Sequence, residues 1–471
     1  MELLVIPPFT DFTTEVVPPA GVEVVDLGAR IVERLAEPAR LRAAAEGLPD
    51  GPLTALFGRA AAAILEREVY DDAHLRAVGT ALRLAGDPAV RLSIDDLELA
   101  EGSTQSSRDV LGAAARCRLF RPEVEIALEA ARGRRAHVVV DGEQQLPAAF
   151  ALVKALGAER VTLCGRLVAE QVTALRRVPE LAGAEWLDWS PDRVIRRCWT
   201  AGHDAAVRWV TGADRPPVSG PWAGWLDAVR AGAFSREALA RCRGLTITVT
   251  RIDFLAAATG LNGVTVNLRR LLAAIPAEAP VMCELAVGAP GMAAGVVGES
   301  LELLADGPGG VRPAGPRPYR MGIRTVWAGQ SVRFPPRAGN DLARWIEFDA
   351  PETMRPREVT AMIGGWLDRL PGLPPGRLAA CSVAGPALPV PACAWDPCAE
   401  VVAGAGPDGR GPGTFAVSLR SGRSFRLRQG LVAPVARLAA DDPHALDGLT
   451  DGARERLTAE LAEAGVLRGR G

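Results

Sequence analysis

The chain has 471 residues and a formal net charge of −2. At roughly 100–200 residues per domain this length implies two to four domains, and 48% hydrophobic with 23% charged residues excludes a wholly disordered chain. The near-neutral balance (pI ≈ 6.2) gives no global electrostatic case for nucleic acid or an anionic membrane surface.

In chain order, Glu2 to Ile6 reads as a short apolar strand running into Pro7-Pro8-Phe9. The same opening has no basic leading segment and its apolar run is cut by the two prolines, so it does not read as a signal peptide. Val22 to Val25 is a second short strand. From Leu27 to about Ala85 the pattern is helical, with Leu53, Leu56, Phe57, Ala60, Ala61, Ile64 and Leu65 at three- and four-residue spacing. Asp87 to Glu101 is polar and reads as loop or short helix. Ala136 to Val140 is an apolar strand, followed by the turn Asp141 to Gln145 and a helix over Leu146 to Leu156 that Gly157 stops. Arg160 to Cys164 is the next strand, Leu167 to Arg177 a helix, and Trp186 to Trp189 a third strand. This alternation predicts a parallel, doubly wound α/β unit. Ligands of such sheets sit beyond the carboxyl ends of the strands, here Asp141 to Gln145 and Cys164 to Arg166.

Pro216, Pro217, Gly220 and Pro221 mark a linker. Strands at Leu245 to Thr250, Val281 to Val287 and Arg320 to Val326 alternate with helices at Leu268 to Ala274, Val296 to Leu304 and Arg357 to Leu370. That pattern predicts a second parallel sheet, an open (β/α) barrel. Gly307 to Pro318 reads as loop. Prolines and glycines are dense from Pro371 to Gly413, and Ala403 to Gly413 lacks the Gly-Lys-Ser/Thr ending of a phosphate-binding loop, so it reads as a flexible loop. The tail reads as a hairpin around Arg420-Ser-Gly-Arg423 and two helices, Leu431 to Ala440 and Gly452 to Ala464, a winged-helix-like module. The expected division is 1–212, 213–375 and 376–471. No stretch reaches the ~20 apolar residues of a membrane span, and a soluble, cytoplasmic protein is the expectation.

Eight cysteines, at 117, 164, 198, 242, 283, 381, 393 and 398, form no Cys-x2-Cys pair. Cys393 and Cys398, with Cys381 upstream, are read as small buried hydrophobes, with half a metal site as the alternative. Asp72-Ala-His74 lies on a helix and reads as surface or packing. Glu347 and Asp349 alternate along a strand and share a face, which two carboxylates need for acid–base work; a solvated strand face is the plainer reading.

The order of units resembles the cobalamin-dependent radical SAM proteins that C-methylate ribosomally made peptides. Leu4-Val-Ile-Pro-Pro-Phe9 with Pro18-Pro19 resembles the opening of their cobalamin-binding half, and Gln145 to Lys154 leading to Val161-Thr-Leu-Cys-Gly165 resembles a helix and a strand ending in Gly-Gly, with Cys164 at the first glycine. Leu285-Ala-Val-Gly-Ala-Pro-Gly291, with Glu299-Ser-Leu301 after it, resembles a barrel strand and its Pro-Gly turn. Thr259-Gly-Leu-Asn-Gly263 resembles the end of the family's cluster loop, which reads Arg-Gly-Cys, a short insert, then Cys-x-x-Cys-Gly-Leu-Asn-Gly. Arg251 and Gly260 to Gly263 match that loop, while its three cysteine positions fall at Asp253, Ala256 and Thr259. A [4Fe–4S] cluster needs such ligands, normally thiolates, so no iron–sulfur cluster and no reductive cleavage of SAM are expected here.

The resemblance implies a cobalamin-binding-type α/β domain, a degenerate radical-SAM-like barrel and a small C-terminal module. It places a possible corrin against Gln144, Gln145, Cys164 and Gly165, although a side chain at Cys164 occupies space that glycine would leave. It places a residual SAM pocket at Gly288, Pro290 and Gly291. The implied role is a pseudoenzyme of peptide natural-product (RiPP) biosynthesis, partner of an active radical SAM enzyme or of its precursor peptide. Arg420, Arg423, Arg426 and Arg428 would give the hairpin a basic surface for an acidic leader peptide, whose strand can pair with an exposed sheet edge. The alternatives are a cobalamin-dependent methyltransferase working without radicals, and an unrelated α/β binding protein.

Overall fold

The computed structural model describes residues 2–8, 12–47, 51–67, 69–94, 96–200, 205–212, 214–253, 256–306, 310–370, 372–378, 394–407 and 409–468. It is a mixed α/β chain with two parallel sheets. The chain divides into two compact units, 1–28 with 97–386 and 29–96 with 387–471. This differs from a division into 1–212, 213–375 and 376–471. The helical segment after the first strands belongs with the C-terminal residues, and both sheets belong to one unit.

In the first unit, a five-stranded sheet runs in the order Val22–Asp26, Glu2–Ile6, Ala136–Val139, Val161–Cys164, Glu185–Trp186. All neighbours are parallel. Counted along the chain this is 2-1-3-4-5, an order that reverses between the first and third strands. One face, carrying Leu3, Val5, Val138 and Leu163, packs on the helices Ser107–Arg116, Arg121–Ala130, Leu146–Leu156 and Arg166–Leu175 through Val110, Ala127, Phe150, Leu152 and Leu167. The other face, carrying Leu4, Ile6, Val139 and Cys164, packs on Val16.

Val16 belongs to the second sheet. The stretch between the first two strands contains Thr14–Val16, which pairs antiparallel with Arg193–Ile195 at one edge of an eight-stranded sheet. That sheet continues Arg208–Thr211, Trp222–Asp227, Cys242–Val249, Val281–Val287, Val311–Pro313, with Arg317–Pro318 pairing beside the end of Val281–Val287 as the eighth strand, and the five from Arg208–Thr211 to Val311–Pro313 are mutually parallel. They follow in chain order, so right-handed crossovers put the connecting helices on one face. Leu226, Ile247, Cys283 and Leu285 form that face's core with Ala228, Leu268, Leu271, Val297 and Leu301. The Pro216–Pro221 stretch, expected as a linker, joins two adjacent strands of this sheet. Arg320 to Val326, expected as one strand, keeps only Met321–Gly322 as strand.

Among its described residues the second unit holds most of the helix Leu27–Leu35, the helices Pro38–Gly47, Pro52–Leu65 and Asp72–Leu84, and a three-stranded antiparallel sheet, Ala399–Ala405, Pro412–Ser418 and Arg423–Leu427. Helices Gln429–Ala439 and Asp451–Glu463 follow. The expected hairpin is present. The glycine-rich 403–413 stretch, expected as a loop, instead carries the ends of two paired strands, with Gly404 opposite Gly413. Arg59 donates to the Ala403 carbonyl, and Gly404 lies against Leu56. A side chain at 404 would have to displace the ends of the Leu56 and Arg59 side chains.

Gly165 terminates Val161–Cys164 with φ 108°, and a Cβ there would stand 2.5 Å from the Val140 carbonyl oxygen. Gly165→Ala should therefore destabilise the chain by about 1–3 kcal/mol through forced backbone strain. A urea midpoint indistinguishable from the parent protein's would contradict this.

Candidate functional site

The reversal of strand order is where a doubly wound sheet opens a crevice for ligands. Here the crevice-forming ends are Ile6-Pro7 and Val139 to Gln145. The Gln145 side chain, 1% exposed, spans them. Its Oε1 accepts from the amides of Asp141 (2.7 Å) and Gly142 (3.2 Å), and its Nε2 donates to the carbonyls of Pro7 (3.3 Å) and Val139 (3.4 Å). All four hydrogen-bonding positions of the amide group are thus used within the chain.

Beside it, Asp141 is saturated in the same way. Its Oδ1 accepts from the Arg166 amide (2.9 Å) and the Ser190 hydroxyl (3.1 Å). Its Oδ2 accepts from Arg193 Nε (3.0 Å) and Nη2 (2.8 Å), two charge-assisted bonds on one oxygen, with Arg193 4% exposed. Burial would push the Asp141 carboxyl up, but the cations of Arg193 and Arg166 and the Arg166 amide outweigh it and hold the pKa below the usual range. Arg166 in turn pairs bidentately with Asp214 (3.1 and 2.7 Å). Asp141 follows a strand of the first sheet and Arg193 lies in the second, so this pair ties the two sheets together.

The other positions expected at a corrin are of three kinds. Cys164 is fully buried in the small core with Leu4, Ile6, Val16 and Val139. Its thiol lies 3.7 Å from the Val138 carbonyl, and burial raises its pKa to about 12. Gly165 is pressed against the Val140 backbone, so its missing side chain makes room for the protein itself. Gln144 is half-buried, with its amide folded over Gly142. Of the four, only Gln144 retains access to solvent. These residues do not fit a corrin, because the space and donors it would use are taken by intrachain contacts.

The cluster-loop positions are spread along a small antiparallel meander, Arg251–Asp253, Ala257–Thr259 and Thr265–Asn267. Arg251 stands opposite Thr259 and Asp253 opposite Ala257, which puts Asp253 and Thr259 at opposite ends of the ladder. Asp253 pairs with Arg251 (2.6 Å), Thr259 Oγ1 meets Thr265 Oγ1 (3.3 Å), and Ala256 is an exposed turn residue. Neither the side-chain chemistry nor the placement fits three ligands of one cluster. The Gly260–Gly263 turn is held elsewhere: the Leu261 amide donates to Asp227 (2.5 Å), and the Leu261 carbonyl accepts from Tyr319 Oη (2.8 Å). Gly288 (φ 93°) lies where a Cβ would be 2.6 Å from Val359, on the Pro356–Arg369 helix. Pro290 is buried, and the exposed Gly291 donates its amide to Thr353 Oγ1 (3.2 Å).

A further polar centre sits on the second sheet's face opposite its helices. Register places Trp225, Asp227, Thr246, Thr248, Met282 and Glu284 on that face. Glu284, 3% exposed, accepts on Oε2 from Trp225 Nε1 (3.0 Å), Thr248 Oγ1 (2.8 Å) and Arg317 Nε (2.9 Å). The Arg317 guanidinium lies over the Trp225 ring. The sequence reading passed over this glutamate, yet a lone charge inside the fully apolar run Val281–Val287 was its signal, since a buried carboxylate requires donors.

The remaining candidates do not converge. Glu347 and Asp349 are exposed, and Glu347 lies between two separate two-residue strands, paired with Arg337. Asp72 is an anchor, not a surface group. It receives Arg76 (3.0 Å), Arg420 (2.9 Å) and the Cys398 thiol (3.6 Å). Arg420 also pairs with the buried Asp396 (2.7 Å), so it contributes no free charge to a basic hairpin. Arg426 lies over Phe415 and donates to Gly411 and Pro412 carbonyls. Arg423 donates to the Glu463 carbonyl, and Arg428 is exposed. Cys398 is buried and its thiol pushed up by burial, while Cys381 and Cys393 lie outside the described residues. Among the described residues no three His, Cys, Asp or Glu side chains are grouped to hold a metal, and no helix is long and apolar enough to cross a membrane. No protein-family model, curated protein or solved structure matches the chain.

Removing one partner of a buried ion pair typically costs about 3–5 kcal/mol. Asp141→Asn should lose stability on that scale at neutral pH. Because the folded-state pKa is depressed, the parent's advantage is complete above the ordinary carboxyl value of about 3.9 and fades as pH falls below it. Urea unfolding at neutral and acid pH should show the difference between the two proteins shrinking on the acid side. A constant difference would contradict the assignment.

Proposed function

We propose that this chain is a catalytically degenerate relative of the cobalamin-dependent radical SAM proteins, acting in peptide natural-product biosynthesis. In this reading the five-stranded sheet is a former cobalamin-binding half and the eight-stranded sheet a degenerate barrel. The second unit carries the winged-helix-like module, and the protein works in the cytoplasm as partner or scaffold for an active radical SAM enzyme or its precursor peptide.

The observation that carries the reading is the Thr259-Gly-Leu-Asn-Gly263 stretch, with Asp253, Ala256 and Thr259 at the cluster positions, no thiolate among them, and Asp253 and Thr259 at opposite ends of a hydrogen-bonded ladder. The filled strand ends agree with it. Gln145 and Asp141 at the reversal of strand order spend their hydrogen bonds inside the chain, which fits a scaffold better than a cofactor site. The same filling gives a non-radical, cobalamin-dependent methyl transfer no footing, and we derive no step through a corrin. What the chain's residues do in this account is hold two sheets rigidly together and present surfaces.

The test is affinity purification of the tagged protein from its native host under anaerobic conditions. Co-purification of an enzyme with an intact Cys-x3-Cys-x2-Cys motif, or of its substrate peptide, in near-stoichiometric amount is expected. Recovery of the protein alone, with methyl transfer by it alone, would overturn the proposal.

A further inference from the structure

The second unit contains a cavity of about 280 Å³, at the small end of ligand pockets. It is lined by Ile64, Val69, Ala73, Trp395, Pro397 and Ala439, together with three charged residues, Arg67, Asp71 and Asp441. The charges are not balanced. Arg67 is committed to Glu400 and to the carbonyls of Pro397 (3.1 Å) and Ala399 (3.4 Å). Asp71 uses Oδ1 to cap the Asp72–Leu84 helix through the His74 amide (3.1 Å). Asp441 makes no side-chain hydrogen bond or ion pair with the described residues. It is also held at φ 57°, in the left-handed region, directly after the Gln429–Ala439 helix and Ala440. Trp395 donates its Nε1 to the Ala399 carbonyl (2.9 Å), so its indole brings ring carbons and no donor to the wall.

A cavity with apolar walls, an indole and two carboxylates against one cation, which is itself paired with Glu400, selects a particular ligand. An alkyl stem suits the aliphatic wall, a delocalised cation suits the aromatic ring, and a planar fork of donors suits carboxylates. We propose that this cavity binds an alkylguanidinium, the side chain of an arginine in a partner peptide. The assignment does not rest on the function proposed above. It also reverses the charge expected of a ligand for this unit, because Arg420 is consumed by Asp72 and Asp396 while the cavity is acidic.

The probe is agmatine, titrated into the full-length protein by calorimetry, beside N-butylurea as an uncharged analogue of similar shape. Agmatine should bind, N-butylurea should not, and added salt should weaken the binding. Asp441→Asn should weaken agmatine by about tenfold, the loss of one charge-assisted contact. Asn tolerates the left-handed backbone, so this variant keeps its fold. Asp71→Asn should weaken it similarly, and Asn preserves the helix cap. An unchanged thermal midpoint for both variants verifies that the cavity is intact. No heat of binding at roughly 10 mM agmatine, where even a millimolar site would be filled, would overturn the proposal. So would equal affinity for N-butylurea, or for both variants and the parent protein.

Discussion

The ion pair between Asp141 and Arg193 is the constraint on which the first unit depends. One partner follows a strand of the five-stranded sheet and the other lies in the eight-stranded sheet, 52 residues further along. Both are nearly excluded from water. Desolvating such a pair is expensive, and geometry must compensate. Here it does, because the carboxylate takes four donors and the guanidinium also reaches Thr14 Oγ1 (3.4 Å). The short Thr14–Val16 strand then becomes intelligible. It leaves the first sheet, pairs with Arg193–Ile195, and lays Val16 over Leu4, Ile6, Val139 and Cys164. The core under the first sheet and the charge at its edge are parts of one joint.

That joint occupies the place where a doubly wound sheet would receive a ligand, and Gln145 closes the remaining gap to Pro7. The second sheet repeats the logic around Glu284, whose three donors are Trp225, Thr248 and Arg317, from three other strands. In both sheets, polar groups positioned as ligand contacts would be are satisfied by the chain's own side chains. The cavity proposed to take a cation lies in the second unit, where the exposed Asp441 makes no side-chain hydrogen bond or ion pair with the described residues.

Much of the fold was legible in the sequence, and the failures are instructive. The Leu146–Leu156 helix with its Gly157 stop, and the strands near 136, 161 and 281, were readable because dense apolar runs end at glycine or a polar turn. The strands Thr14–Val16, Arg193–Ile195 and Arg208–Thr211 were not, since three or four residues carry too little periodicity. Their pairing is decided by distant partners. Proline and glycine misled twice. Pro216–Pro221 reads as a domain boundary but bridges adjacent strands, and of the glycines in 403–413, Gly404 lies in a paired strand against Leu56 and Arg59. For the site, sequence located the strand ends correctly but could not show that Gln145, Cys164 and Gly165 are turned inward. Burial there is set by Val16 and the Val140 backbone. The basic hairpin failed likewise, because only the fold brings Asp72 to Arg420 across 348 positions of chain.

The function proposed above requires that these sheets hold neither an iron–sulfur cluster nor a corrin. The most direct test is anaerobic reconstitution with iron and sulfide, incubation with hydroxocobalamin, desalting, and then iron analysis with a visible spectrum. Protein carrying neither iron nor corrin is the expected result. Stoichiometric iron with sulfide, or a retained corrin band, would contradict the account.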